Sequence, residues 1–369
     1  MKLKVVMLEY FLPGNTYTLE LCNRLGEICD VTLICKNDYY PDKKLNFTLE
    51  NVLHTGSTGP VSALSGYLGD MIKILKIVKQ IRPNVFHVQG IVHQSFETIL
   101  MKIIHRYVPT MVFTAHNILP HEEKGNEKEK LNRWYQLFDG IVVHNEGSRA
   151  LLEEYSGRQK SVCVMPHGAY TGYNIKQVPH EKVTLLCFGI IREYKGIDIL
   201  LKAIALLPEK VRSNVRVIIA GKQLKSYDLN LEEMVKQYHL DSCVELIIRR
   251  IEDEELSNLF GQADACVFPY RVIYGSGALL MAYAFEKPVI ASDIPVFVEE
   301  TDNGATGCLF ASEDPQKLSA AIARFVAMTP DEREKLKENV IRLRDGKYSW
   351  KNSAKVLSDF YMSLVGNHR

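Results

Sequence analysis

One pattern constrains this chain more than any other: short runs of β-branched and other apolar residues alternate, from end to end, with longer segments of helical periodicity. In the first half the runs fall at residues 3–8, 31–35, 85–88, 111–114 and 141–144. In the second half they fall at 183–188, 215–220, 244–248, 265–268, 289–291 and 308–310. Runs that are apolar at successive positions suit strands covered on both faces, and spacings of roughly 20 to 40 residues leave room for a crossover helix between parallel strands. The expected class is therefore α/β, built from doubly wound, Rossmann-like sheets.

With 369 residues the chain is too long for one ordinary core and suits two domains of about 150 to 200 residues. The polar segment 173–182, which contains Pro179, interrupts the periodicity and places the expected join between domains 1–178 and 179–349. A last helix over 350–369 follows the second sheet. Its apolar positions Val356, Leu357, Phe360, Tyr361 and Leu364 need a face to cover, on either the second domain or the first.

Hydrophobic residues make up 46% of the chain and charged ones 24%, and the formal charge of +1 gives no electrostatic reason to expect a nucleic-acid partner. The eight cysteines form no CxxC pair and several lie within apolar runs, so they read as reduced, buried side chains of a cytoplasmic protein. No apolar stretch reaches the ~20 residues that span a bilayer. No HExxH or comparable ligand spacing occurs, and no metal is expected.

Ligands of doubly wound sheets bind beyond the carboxyl ends of the strands. Two segments of the second half sit at such ends. Gly189-Ile190-Ile191-Arg192-Glu193-Tyr194-Lys195-Gly196 leaves the run 183–188 and carries two cations three residues apart. The turn Tyr274-Gly275-Ser276-Gly277 opens into an apolar helix beginning at Ala278, where unpaired backbone N–H groups favour an anion of phosphate size. Histidines crowd the strand ends of the first half: His87, His93, His116, His121, His144 and His167. His116 stands out by position, in Thr114-Ala115-His116-Asn117, a strand end followed by a polar turn.

Those segments, with residues 114–122, Met165-Pro166-His167-Gly168-Ala169-Tyr170, and Ala282-Tyr283-Ala284-Phe285-Glu286-Lys287-Pro288-Val289, resemble the retaining glycosyltransferases of family 4 over nearly the whole chain. The resemblance implies the GT-B architecture, two Rossmann-like domains facing across a cleft, with acceptor in the first, nucleotide-sugar in the second and a final helix crossing back. It implies that Arg192 and Lys195 hold the donor diphosphate with Gly189 and the helix start Gly275, Ser276, Gly277 and Ala278. Arg250 and Ile251, after the run 244–248, are placed on the donor side as well. His116 falls beside the transferred sugar, and Gly14 and Asn15, in the turn after the first strand, at the place of a glycine-rich loop near the phosphates. The sequence departs from the family in one respect: where many members carry two glutamates eight positions apart, this chain has Ile273 and Met281. Glu299 or Glu300 is the alternative source of a carboxylate, unless both merely begin a solvated helix.

Breaking a sugar–diphosphate bond builds negative charge on the leaving group, which two cations and a helix N-terminus stabilise without proton transfer. No two aspartates lie two apart, the spacing with which other sugar transferases hold a metal, so the expected reaction needs none. The expected activity is transfer of a hexose-type sugar from a GDP- or UDP-linked donor to a glycan or lipid-linked saccharide in polysaccharide biosynthesis, with no further cofactor. The helical segment 71–82, with Lys73, Lys76 and Lys79 beside an apolar face, reads either as a peripheral membrane contact or as a sheet-covering helix with a solvated lysine stripe. Two alternatives remain: a sugar-nucleotide epimerase or hydrolase of the same fold, and a catalytically silent nucleotide- or glycan-binding partner. A nicotinamide oxidoreductase is excluded by the lack of G-x-G-x-x-G after the first strand.

Overall fold

The computed structural model describes residues 2–11, 16–36, 44–54, 60–92, 94–118, 127–157 and 161–366. The chain divides into two compact units, Met1–Gly168 with Ser349–Arg369, and Ala169–Tyr348.

The first unit holds strands β1 (Lys4–Leu8), β2 (Asp30–Lys36), β3 (Thr48–Leu53), β4 (Val85–Val88), β5 (Thr110–Thr114), β6 (Gly140–Val143) and β7 (Val162–Val164). Its helices are α1 (Tyr17–Leu25), α2 (Pro60–Ile81), α3 (Gln94–Ile104), α4 (Glu127–Tyr135) and α5 (Glu146–Ser156). The second unit holds β8 (Val183–Phe188), β9 (Val215–Ala220), β10 (Val244–Ile247), β11 (Ala265–Phe268), β12 (Val289–Ser292) and β13 (Gly307–Phe310). Between these strands lie α6 (Ile197–Ala205), α7 (Glu209–Arg212), α8 (Leu231–Gln237), α9 (Asp253–Gly261), α10 (Gly277–Ala284) and α11 (Pro295–Glu300). Two more helices, α12 (Pro315–Ala327) and α13 (Pro330–Asp345), follow β13, and α14 (Trp350–Gly366) closes the described chain.

Both sheets are parallel throughout, in the orders β3-β2-β1-β4-β5-β6-β7 and β10-β9-β8-β11-β12-β13. Each order reverses direction once, between β1 and β4 and between β8 and β11. Such reversals open a crevice at the strand ends.

Successive side chains of a strand point to opposite faces, and the cores follow that rule. Val6 and Leu8 of β1 join the cluster under α2 and α3, whereas Val5 and Met7 join the cluster under α1 and α14. Likewise Leu185 and Cys187 of β8 pack with α6, α8 and α12, while Leu186 packs with α9, α10 and α13. This double coverage is why the strands are apolar at nearly every position.

Every apolar run read from the sequence forms a strand. Two strands were not expected. β3 (Thr-Leu-Glu-Asn-Val-Leu) is an edge strand, half-buried over most of its length, so it lacks the unbroken apolar signal. β7 is only Val-Cys-Val. All eight cysteines are free and buried. Among the described residues no helix is long and apolar enough to cross a membrane.

The units part at Gly168/Ala169, about ten residues before the expected join. The polar segment after that point is already tied to the second unit: Ala169 N–H donates to Tyr348 O (2.7 Å) and Val178 N–H to Gly261 O (3.0 Å). Helix α14 belongs to the first unit, where Trp350, Ala354, Leu357, Tyr361 and Leu364 form a buried stripe at helical spacing against α1 and the sheet.

Candidate active site

In the second unit, β8 ends at Phe188 and the chain turns at Gly189, whose φ of +116° suits only glycine. A Cβ on Gly189 would lie 2.7 Å from Lys195 Nζ and 4.0 Å from Ala278 Cβ. The turn, the lysine and the start of α10 are therefore one place, at the carboxyl ends of the two strands where the order reverses. Lys195 arrives there through a single 3-10 turn, Glu193–Lys195, closed by Gly196 at φ +63°.

The Lys195 ammonium is 6% exposed, donates to Tyr270 Oη (2.8 Å) and lies 4.9 Å from the centre of the same ring. No carboxylate pairs with it among the described residues. Burial pushes it down to about 8; Cys187 opposes that push, and the neighbouring Arg192 cation adds a smaller contribution to it. Arg192 keeps a buried Nε without a hydrogen-bond partner among the described residues. Two cations thus hold donor capacity that the protein itself does not spend.

Ser276 caps α10 by accepting from Leu279 N–H (3.1 Å), so the amides ahead of Leu279 at the helix start have no intrahelical acceptor. Gly277 leaves room for Tyr170: a Cβ there would sit 3.0 Å from Tyr170 Oη, which would have to give by a few tenths of an ångström. Beneath the cap lies Glu300, which ends α11 instead of starting a solvated helix, as one sequence reading had it. Its Oε1 accepts from Ser276 N–H (3.4 Å), its Oε2 is buried without a partner among the described residues, and burial pushes its carboxyl up to about 8. Glu299 points elsewhere, toward Lys347 Nζ (3.5 Å).

Not every expected donor residue converges. Gly275 is exposed. Arg250 has an 80% exposed side chain paired with Glu252 (3.3 Å). Ile251 packs with Phe188, Tyr170 and Tyr173 on the apolar cluster, and Ile273 and Met281 join the same cluster. Gly14 and Asn15 lie outside the described residues, as do His93 and His121.

In the first unit His87 is structural: its ring nitrogens bond Tyr361 Oη (2.5 Å) and Thr114 Oγ1 (2.7 Å). His116, His144 and His167, from the ends of β5, β6 and β7, surround Tyr17 with ring centroids 4.9, 5.4 and 4.7 Å away. His116 Nδ1 lies 3.0 Å from His144 Nε2. Burial pushes all three below the ordinary histidine value, leaving them uncharged. Among the described residues no group of three or more His, Cys, Asp or Glu side chains is placed to hold a metal ion.

The family model described as glycosyl transferases group 1 matches residues 174–342, and that of glycosyltransferase family 4 matches residues 14–172. The chain belongs to the group 1, family 4-like glycosyltransferases.

Its fold is GT-B. Sucrose-phosphate synthase from Thermosynechococcus elongatus matches 99% of this chain and 100% of its own at a TM-score of 0.74 and 16% identity. HepE from Anabaena in complex with UDP matches 98% and 100% at a TM-score of 0.71 and 17% identity. Among curated glycosyltransferases, the GDP-mannose:glycolipid 4-beta-D-mannosyltransferase of Xanthomonas campestris pv. campestris is 25% identical over 52% of this chain and 52% of its own length. A D-inositol 3-phosphate glycosyltransferase of Corynebacterium urealyticum is 29% identical over 61% and 57%. The chain spans about half the length of the curated relatives it matches first.

Sequence reasoning about this glycosyltransferase missed Tyr270 and Tyr17, and named Tyr170 only as part of the segment 165–170, without a role. Tyr270 had a positional signal, two residues past the end of the run 265–268. Tyr17 had none, since its contacts are made by residues distant in the chain.

Proposed function

We propose that the protein transfers a hexose-type sugar, with retention of configuration and without a metal, from a GDP- or UDP-linked donor to a glycan or lipid-linked saccharide. The observation that carries this reading is Lys195: a buried ammonium without a carboxylate, set against Gly189 and the open amides of α10. That arrangement suits a diphosphate, whose charge offsets the cost of burying the cation. Arg192 adds a second cation to the leaving group, and His116, beyond the end of β5 in the first unit, bonds a saccharide hydroxyl. The Xanthomonas relative named above joins GDP-mannose and a glycolipid in its activity, which supports the same substrate classes and a role in polysaccharide or glycolipid assembly.

Calorimetry of GDP, UDP and ADP in metal-free buffer tests this reading. One diphosphate is expected to bind, and its affinity is expected to be level up to about pH 8 and then to fall, by up to about tenfold per pH unit. The sign follows from the free-state value: below about 8 the ammonium is already charged, and above it each binding event must first recover a proton. No binding by any of the three overturns the proposal in favour of a silent partner. Turnover that needs no acceptor favours a hydrolase or epimerase.

A membrane-borne acceptor fits the outer face of α2 and α3. Leu68, Ile72, Phe96 and Ile99 are exposed there, beside exposed Lys76 and Lys79. Lys73 is not part of that face's free charge, since it donates to Val52 O (2.7 Å) and Asp70 (3.3 Å). Co-sedimentation with vesicles containing anionic lipid is expected to exceed that with neutral vesicles, and Ile72→Glu with Ile99→Glu to abolish the difference. Equal recovery from both vesicle types would remove the membrane contact.

A further inference from the structure

The ring nitrogens of the histidine cluster can be assigned donor and acceptor roles from their partners alone. His144 Nδ1 lies 3.0 Å from Met165 O, and a carbonyl oxygen only accepts, so Nδ1 carries the proton. In a neutral imidazole the other nitrogen, Nε2, is then an acceptor. Its partner at 3.0 Å is His116 Nδ1, which must therefore donate. The remaining nitrogen, His116 Nε2, is left with a lone pair. It is buried and has no partner among the described residues.

The rings are held against rotation. Tyr17 meets His116 edge-on at 83° and His144 at 67°, and Trp350 of α14 packs on Tyr17 (5.2 Å) and on His167 (5.4 Å). His167 is anchored separately, Nδ1 donating to Gly168 O (2.7 Å).

We propose that His144 is a positioning residue, which fixes His116 in the Nδ1–H form so that Nε2 is kept as a hydrogen-bond acceptor for a hydroxyl of a saccharide bound by the first unit. The inference rests on the transferase reading for its ligand, but the tautomer itself does not. The arrangement has a chemical purpose. A neutral nitrogen that can only accept polarises a saccharide hydroxyl, drawing electron density toward that hydroxyl's oxygen.

Two variants separate position from mere packing. His144→Gln can keep an acceptor oxygen near the place of Nε2, whereas His144→Leu removes it. Nitrogen-15 correlation spectra of the histidine side chains, with His116 identified by the signals lost in His116→Gln, are expected to show His116 protonated at Nδ1 and bare at Nε2 in the natural protein and in His144→Gln. In His144→Leu the proton is expected to move, at least in part, to Nε2. The transfer kcat of His144→Leu should fall by roughly tenfold or more, the worth of one buried hydrogen bond, with the donor KM within about twofold, and His144→Gln should recover most of that loss. A proton on His116 Nε2 in the natural protein overturns the inference, as does an equal loss of kcat in both variants. Should the natural protein show no acceptor-dependent transfer, the transferase reading fails, and the spectra still decide whether His144 sets the tautomer.

Discussion

Lys195→Met is expected to fold at least as well as the natural protein and to lose sugar transfer by about 10²-fold or more. The two halves of that expectation have one cause. The ammonium is buried against Tyr270 with no carboxylate partner among the described residues. Its folded value of about 8 lies below that of a free lysine, so the charged form opposes folding by roughly 3 kcal/mol. That cost is present below pH 8 and is relieved as pH rises from about 8 toward the unfolded value near 10.5. A methionine keeps the stem's packing and removes the cost, while removing the charge that meets the leaving diphosphate. Arg192→Ala should lose transfer to a similar extent with little change in thermal midpoint, since its side chain is only half-buried. Thermal unfolding and transfer rate, measured on the same samples, check both. A Lys195→Met protein that transfers sugar at the natural rate would mean that the diphosphate is held elsewhere.

Gly196→Ala is expected to lower stability by about 2 to 4 kcal/mol and to abolish diphosphate binding. Gly196 has φ +63° and ψ +32°, and a Cβ would lie 1.9 Å from Pro269 O. Left-handed backbone alone costs an alanine about 1 kcal/mol. The larger part comes from Pro269, a backbone atom that cannot step aside without moving Tyr270, the partner of Lys195. Gly172→Ala is the matched control: its φ is +86°, but nothing lies within 4 Å of the added carbon, so only the backbone penalty should appear. Chemical denaturation of both variants, with calorimetric binding of the preferred nucleotide, separates strain from collision. Equal stability of the two variants would show that the turn at Pro269 yields easily.

What was legible in the sequence is what repeats locally. Strands buried on both faces announce themselves, so β8, with Leu185 and Cys187 on one side and Leu186 on the other, was readable from composition alone. β3 was not, because an edge strand with one wet side spreads its apolar residues thinly. In the site, Arg192, Lys195, Gly189 and Ser276 to Ala278 were legible because strand ends and helix starts have fixed chemistry. For Arg250 the sequence offered only a position after a strand, which does not decide which way an exposed side chain turns. Glu300 was readable only as a candidate, since its burial under Ser276 depends on how α11 packs against α10. The hydrogen bond between His116 and His144 joins residues 28 apart in the chain and could not have been assigned before β5 and β6 were seen side by side.

Helix α14 bears on the order in which this chain takes shape. The cluster that Trp350, Leu357 and Tyr361 complete also contains β1, β2 and α1, the first elements to be synthesised. During vectorial synthesis those early elements wait with one apolar face uncovered until residue 366 has been made, while residues 169–348 have everything they need to close first. The unit begun second is thereby the first finished. The waiting face is where a nascent-chain chaperone is needed, and truncation before Trp350 should leave the first unit, not the second, prone to aggregate.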